Sequence, residues 1–348
     1  MAATHRTRAA AADAGGGKLR IAVIYDSGAD HWTPEDIQAV RESVDAVGRA
    51  LRSVGHEVHR VAVHDDLAWL EPVRNADVVF NLCEGVGGVS RLEYPVASAI
   101  ELTGVPFTGA SPWTMTICHR KPVLNAVLQA HGLPVPRWTV AGNDDRDTEF
   151  LLPAIVKPAA EDASIGIEQG SIVATPEALR RRTRDMRARH GLVMVQEYVP
   201  GREFNVGFVG DHVLPVSEID FSAMPDDAWP IVSFAAKWHA DSAEYAGTQP
   251  ICPAPIDETY RRRLVDIASA AWQTVEGRGY GRVDLRVDRD GQPWVLEVNP
   301  NPDLSTDAGL ANMARVYGWA YEDLVLEIVE AALQGPAAVR GRPPAEVA

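Results

Sequence analysis

The chain has 348 residues and a formal charge of −15, with 33 Lys and Arg against 48 Asp and Glu. That balance excludes a general nucleic-acid binder, because no basic surplus is left to neutralise phosphates. Apolar residues make up 46% of the chain, enough to core two or three domains, yet no window approaches the roughly 18 apolar residues of a membrane span.

Residues 1–17 are rich in Ala and Gly and lack the apolar segment of a signal peptide, so a disordered leader is expected there. "KLRIAVIYD" (18–26) reads as a buried strand. "TPEDIQAVRESVDAVGRALRSVG" (33–55) reads as an amphipathic helix, with Thr33 as N-cap, Pro34 in the first turn and Gly55 as the stop. "HEVHRVAV" and "ADVVFNL" are strands, and "RLEYPVASAIELTGVPFTGA" is a helix followed by an extended segment. This rhythm predicts a parallel sheet. "SPWTMTICHRKPVLNAVLQAHGLPVPRWTV" (111–140) predicts one helix ending at Gly132 and then an extended segment. "LLPAIVKPA" (151–159) is a strand, "EDASIGIEQG" (161–170) a loop, and the Arg-rich run 180–189 the solvated face of a helix. "GLVMVQEYVPGREFNVGFVG" (191–210) reads as two strands joined by a Pro-Gly turn, on composition an ordinary hairpin. A helix at 257–277, a strand pair at 281–299 and a helix at 319–333 complete the body, and 335–348 reads as a disordered tail. Trp113, Trp138 and Trp319 read as core residues. The three cysteines, Cys83, Cys118 and Cys252, form no CxxC metal pattern and fit a reducing cytoplasm.

The strand pair carries the chemistry. In "GRVDLRVDRDGQPWVLEVN" (281–299), Val283, Leu285 and Val287 alternate with Arg282, Asp284 and Arg286, while Leu296 and Val298 alternate with Val295, Glu297 and Asn299. If Asp290-Gly291 form a two-residue turn, Asp284 stands opposite Glu297 and Arg282 opposite Asn299, side chains about 5 Å apart on one face, whereas a four-residue loop would shift the pairing but keep the same face. Two facing carboxylates repel unless a cation lies between them. A hard divalent ion with Asn299 as a further oxygen ligand is one reading, and a solvated outer face is the other. The stiff "NPNPDLS" that follows favours the first. Lys121, Lys157 and Lys237 stand in contexts suited to phosphate, although no Walker A loop is present.

Taken in order, "FNLCEG", "GVPFTGA", "RKPVLNAVLQAHGLPVP", "VKP…SIG", "QEYVPGREFNV", "AKW…QPICPA" and "GRVDLRVDRDGQPWVLEVNPNP" resemble the ATP-grasp superfamily, and within it the D-alanine–D-alanine ligase branch, over roughly residues 20–333. The resemblance implies a mixed α/β and α+β chain with an ATP-grasp fold and an N-terminal Rossmann-like domain. The expected units are 18–112, a central lid unit 113–200 and a C-terminal unit 201–334. It implies an ATP-dependent carboxylate–amine ligase working through an acylphosphate. Lys121, Lys157, Ser164, Glu197, Tyr198, Val199, Glu203 and Lys237 would hold ATP. Asp284, Glu297 and Asn299 would bind two Mg²⁺ ions, with Mn²⁺ as a substitute, and Arg282 and Lys237 would stabilise the transferring phosphoryl group. Small-molecule carboxylate and amine partners, a homodimer and a cytoplasmic location are implied as well.

Several positions depart from the family pattern. Asp303 stands where a Gly is usual, Ala308 where a Ser holds the second substrate, Ala163 for a lid Ser, Trp238 for a Tyr and Glu84 for a His. Glu35 or Asp36 is the expected receiver of the first substrate's ammonium. These departures predict amino-acid-like substrates other than a D-Ala pair. The alternatives are another ATP-grasp chemistry, by carboxylation or intramolecular cyclisation, a D-alanine–D-alanine ligase, or a non-catalytic nucleotide binder.

Overall fold

A computed structural model describes residues 17–28, 32–141 and 152–335. The expected leader and tail, apart from Gly17 and Gly335, lie outside the described residues.

The first sheet is parallel, in the order β2-β1-β3, from β1 (Arg20–Asp26), β2 (Glu57–Val63) and β3 (Val78–Asn81). Between β1 and β2 runs α1 (Pro34–Ser53). Thr33 and Asp36 form a capping box at its start, which satisfies helix N–H groups that would otherwise lack partners. A short α2 (Leu70–Arg74) precedes β3 and α3 (Glu93–Thr103) follows it.

The expected single helix over 111–132 is two, α4 (Pro112–His119) and α5 (Lys121–Ala130), broken at Arg120. Pro122 lacks an N–H, and its ring would strike the carbonyl of Cys118 in a continuous helix. Trp113 is exposed on α4 rather than part of the core. Leu124 and Leu128 of α5 pack into the core of the C-terminal sheet, so this helix pair shares that core although it was grouped with the central lid unit.

The second sheet has the order β4-β7-β5-β6. Its strands are β4 (Trp138–Val140), β5 (Ala154–Pro158), β6 (Ile172–Val173) and β7 (Val193–Glu197), covered by α6 (Pro176–His190). One arginine of the supposed solvated face is buried. Arg182 reaches Glu168, the Gly166 carbonyl (3.0 Å) and Ser171 Oγ (2.8 Å), and so anchors the loop after β5.

The third sheet is built on β8 (Arg202–Val209), β9 (His212–Val213) and β10 (Ser217–Asp220). The chain then forms α7 (Phe234–Trp238), α8 (Ala243–Ala246), β11 (Gln249–Ile251) and α9 (Glu258–Thr274). β12 (Tyr280–Val287) and β13 (Pro293–Asn299) follow, then α10 (Gly309–Tyr317) and α11 (Tyr321–Gln334). The sheet order is β11-β10-β8-β12-β13, with β9 beside β8. β7 and β8 therefore belong to different sheets. The Pro200-Gly201 turn carries the chain across between them and is not a hairpin. A Cβ on Gly201 would lie 1.8 Å from the Val287 carbonyl oxygen, so only glycine fits that crossing.

In β12–β13 the pairs Asp284↔Glu297 and Arg282↔Asn299 form as expected, by a different route. The turn spans Asp288–Gln292, closed by a bond from Asp288 N to the Gln292 carbonyl (3.1 Å). A bulge beyond Leu285 then restores the register. The extra residue is Leu296, which lines the cleft. Val295 instead joins Val283, Leu285, Val287 and Val298 in the core beneath the sheet, which corrects its expected placement beside Glu297.

Candidate active site

Between the second and third sheets lies a cleft of about 550 Å³. Lys157 reaches it from the end of β5, Glu203 and Asn205 from β8, Lys237 from α7, Arg282, Asp284 and Arg286 from β12, and Glu297 from β13. Strand alternation accounts for this gathering: Glu203 and Asn205 alternate with core-facing Phe204 and Val206 on β8, and Arg282, Asp284 and Arg286 with Val283, Leu285 and Val287 on β12.

The geometry around Asp284 is tight. Arg282 grips it with two bonds, Nε to Oδ1 (2.7 Å) and Nη2 to Oδ2 (2.8 Å), and Asn205 Nδ2 donates to Oδ1 (2.8 Å). Oδ2 keeps a lone pair for a cation. Glu297 lies across the register and has no hydrogen-bond partner among the described residues. Arg282, Lys121, Lys157 and Lys237 all fall within its electrostatic reach. The donors present fit an oxygen-seeking divalent ion between the two carboxylates. Asn299 is less available, because its Oδ1 accepts the Asn301 N–H (3.0 Å).

The lysines differ in state. Burial, then the nearby Lys121 charge, lowers Lys157 to about 8 against the pull of Glu297 and Glu203. Burial and Arg282 lower Lys237. Burial also opposes the charge of Lys121, but Asp162 and Glu297 outweigh it and raise its pKa. The Lys121 ammonium donates to the Glu161 carbonyl and lies 3.2 Å from Asp162 Oδ1.

Farther along the cleft, Glu197 pairs with Arg137 (3.1 Å), and the Val199 carbonyl accepts from Arg286 Nε (3.1 Å). The expected nucleotide reader Val199 thus offers its N–H alone. Arg286 was not anticipated as a site residue. It is 3% exposed and also bonds Glu203 Oε2 (2.6 Å), the Tyr198 hydroxyl (3.1 Å) and the Pro230 carbonyl (2.6 Å). It holds Tyr198, Val199 and Glu203 as one unit. Its signal was the alternation of β12, but Glu203 reaches it from β8 through a long-range pairing, Glu203↔Arg286, and Tyr198, Val199 and Pro230 from loops, none of which local spacing reveals.

The loop after β5 closes over the cleft. Ser164 Oγ donates to the Val232 carbonyl (2.9 Å), Phe234 N to the Ile167 carbonyl (2.8 Å) and Trp238 Nε1 to the Ala163 carbonyl (3.1 Å). Ser164 is thereby committed to the seam, and Trp238 to its clasp. Ala163 and Ser164 both adopt left-handed backbone, φ 52° and 61°.

The expected substrate residues divide. Glu84 and Asp303 are both exposed and outside the cleft lining, but within electrostatic reach of one another: the protein mass around Glu84, then the Asp303 charge, raises its carboxyl to about 7, with Lys237 acting in the opposite direction. Asp303 Oδ1 accepts from Ser305 N (2.8 Å) and Ser305 Oγ (2.7 Å). Ala308 is the N-cap of α10, and its neighbours Asp307 and Gly309 line the cleft. Glu35 is not among the residues that line the cleft. It lies in a shallow depression on α1 with Pro34, Gln38 and Glu42, away from the cleft, because the first turn of α1 faces solvent. Asp36 is spent on the capping box. The acid at the end of β1 is Asp26, which accepts N–H bonds from Gly28, Gly87 and Gly88 and holds the loop that follows Glu84.

Two sheets closing on a lysine- and carboxylate-lined cleft, beside a third, parallel sheet, define an ATP-grasp enzyme. The family model described as D-ala D-ala ligase C-terminus matches residues 127–330. The chain is 33% identical to a D-alanine–D-alanine ligase of Chromohalobacter salexigens, over 67% of this chain and 71% of that protein. It is 32% identical to a protein of Sinorhizobium fredii called y4sG, over 90% and 97% of the two chains. Among solved structures it superposes on a D-alanine–D-alanine ligase of Bacillus anthracis complexed with ATP, at a TM-score of 0.73 and 20% identity over 90% of this chain and 97% of that one. It also superposes on the VanG D-Ala:D-Ser ligase of Enterococcus faecalis, at a TM-score of 0.72 and 18% identity over 91% and 100%. The chain belongs to the D-alanine–D-alanine ligase family, and it is an ATP-dependent ligase. Among the described residues no helix is long and apolar enough to cross a membrane.

Proposed function

We propose that this ligase joins a small carboxylate to an amine other than D-alanine, through an acylphosphate. The observation that carries the substrate reading is that Glu84 and Asp303, both standing where the family pattern has other residues, lie within electrostatic reach of one another, and Glu84 within reach of Lys237. Two carboxyls there favour an amine with an additional positive charge, or one without a carboxylate, since a second anion would add to their repulsion.

In this reading Arg286 and its partners orient the nucleoside, while Lys121 and Lys157 hold the phosphates. A substrate carboxylate oxygen attacks the γ-phosphorus and ADP leaves. The amine nitrogen then attacks the acyl carbon, inorganic phosphate departs, and the amine gives up a proton. Both partners of the first step are anionic, so Lys237 and Arg282 offset the charge that gathers on the phosphoryl oxygens. Mg²⁺, held by Asp284 and Glu297 with Asn299 as third donor, would supply further neutralisation of the phosphates. The seam over the loop keeps water from the acylphosphate. Two ions and a homodimer complete the proposal on the strength of the family.

The test is product mass spectrometry after incubation with ATP, Mg²⁺ and a panel of amino acids and amines, with ADP release measured in parallel. An amide containing a cationic or carboxylate-free amine is the expected product, and Glu297→Gln should lower turnover on the order of 100-fold or more with the fold intact. Robust formation of D-Ala-D-Ala would refute the substrate reading. Bicarbonate-dependent turnover, or a product with no added amine, would replace it with carboxylation or cyclisation.

A further inference from the structure

A second group of side chains lies at the margin of the cleft, which Asp162 lines, and uses residues to which the ligase reaction assigns no role. Glu93 opens α3, His119 closes α4, and Asp162 belongs to the loop after β5. One potential ligand atom from each lies within 4.8 Å of the others. His119 is 4% exposed, and neither ring nitrogen has a hydrogen-bond partner. Asp162 Oδ2 is 2.6 Å from Nδ1, within ion-pair range but outside the direction of a hydrogen bond. Buried imidazoles ordinarily have both nitrogens satisfied. The outer atoms of the cluster are already held: Asn301 Nδ2 donates to Glu93 Oε1 (2.7 Å), the Tyr280 hydroxyl fixes Asn301 (2.6 Å), and Lys121 lies 3.2 Å from Asp162 Oδ1. Glu93 retains its second oxygen, and Asp162 Oδ2 is turned to His119 alone.

We propose that Glu93, His119 and Asp162 bind a divalent transition ion of the zinc type, at a site separate from the ions that accompany nucleotide. Imidazole nitrogen with two carboxylates is a donor set for borderline ions, whereas Mg²⁺ selects oxygen alone. Asn301 and Tyr280 supply the supporting bonds that orient a ligating carboxylate. A bound ion would tie three separate segments together: the helix after the first sheet, the end of α4 and the loop that covers the cleft. The rival description is a plain ion pair between protonated His119 and Asp162.

The experiment uses the full chain carrying Glu297→Gln, which impairs the nucleotide-associated metal set, stripped with chelator and titrated with Co²⁺ in excess Mg²⁺. One Co²⁺ per chain with visible d–d absorption is expected. His119→Gln and, separately, Glu93→Gln in that background should each weaken Co²⁺ binding by about tenfold or more. Absence of the absorption band, or affinity unchanged in both variants, overturns the proposal. So does a His119→Gln protein that melts lower in chelator while the parent binds no Co²⁺, which is the ion-pair outcome. Should His119→Gln not fold, Glu93→Gln decides alone.

Discussion

Lys157 shows how much one residue's setting matters. In the sequence it is a lysine at a strand end. In the fold it is 9% exposed, and burial with the adjacent Lys121 brings its pKa to about 8. A lysine lowered in this way is cationic below that value and neutral above it. On the proposed role, kcat/KM for ATP should therefore hold steady up to about pH 8 and fall as pH rises further, because that ratio reports the free enzyme. Lys157→Arg should keep the ratio flat across pH 7 to 9 if it still binds ATP, since guanidinium does not lose its proton there. Steady-state kinetics across that range, with the same fall in both proteins, would remove Lys157 from the assignment. Asp284 and Glu297 could be placed from local spacing because one hairpin carries both. Glu35 could not, because an acid in a first helical turn looks the same whether it faces a substrate or solvent.

At the scale of elements, register is decided by defects as much as by pattern. The Asp284↔Glu297 pairing survives a longer turn only because a bulge beyond Leu285 restores it. Alternation alone could not show that Val295 turns into the core and Leu296 into the cleft. Pairing between β8 and β12 sets Asn205 opposite Asp284 and Glu203 opposite Arg286. The site thus depends on how closely this sheet packs on α9. Gly281 marks that contact: a Cβ there would come 2.3 Å from the Trp272 ring and 3.1 Å from the Asn299 carbonyl oxygen. Gly281→Ala should cost about 1–3 kcal/mol of stability through overpacking, measurable by urea denaturation. It should also lower activity, since Arg282 and Asn299 move with the strand. Unchanged stability would mean that the Trp272 indole yields freely.

For the whole molecule, closure of the cleft is the decisive arrangement. Ser164–Val232, Phe234–Ile167 and Trp238–Ala163 join the loop of one sheet to the segment before and within α7 of the other. None of these pairs is close in sequence. On the acylphosphate reading, Trp238→Phe removes one bond of this seam while keeping an aromatic ring, and water should reach the intermediate more often. The expected result is a rise in phosphate released per amide formed, with ATP affinity little changed. Phosphate and product measured in the same reaction check it, and an unchanged ratio would show that the seam does not guard the intermediate.

The sequence by itself carried the ordered motifs whose resemblance gives the ATP-grasp class, and it determined most of the strands and the helix starts, because caps, prolines and two-residue alternation act between neighbours. It also determined the facing carboxylates of the hairpin, whose pairing is set within a score of residues. Only the tertiary structure decided that β7 and β8 part into different sheets and that Arg286 binds Tyr198, Val199 and Glu203 together. It alone set Glu84 within electrostatic reach of Asp303 and left Glu35 out of the cleft lining. Those outcomes depend on segments far apart in the chain, brought together by packing whose partners no local pattern names.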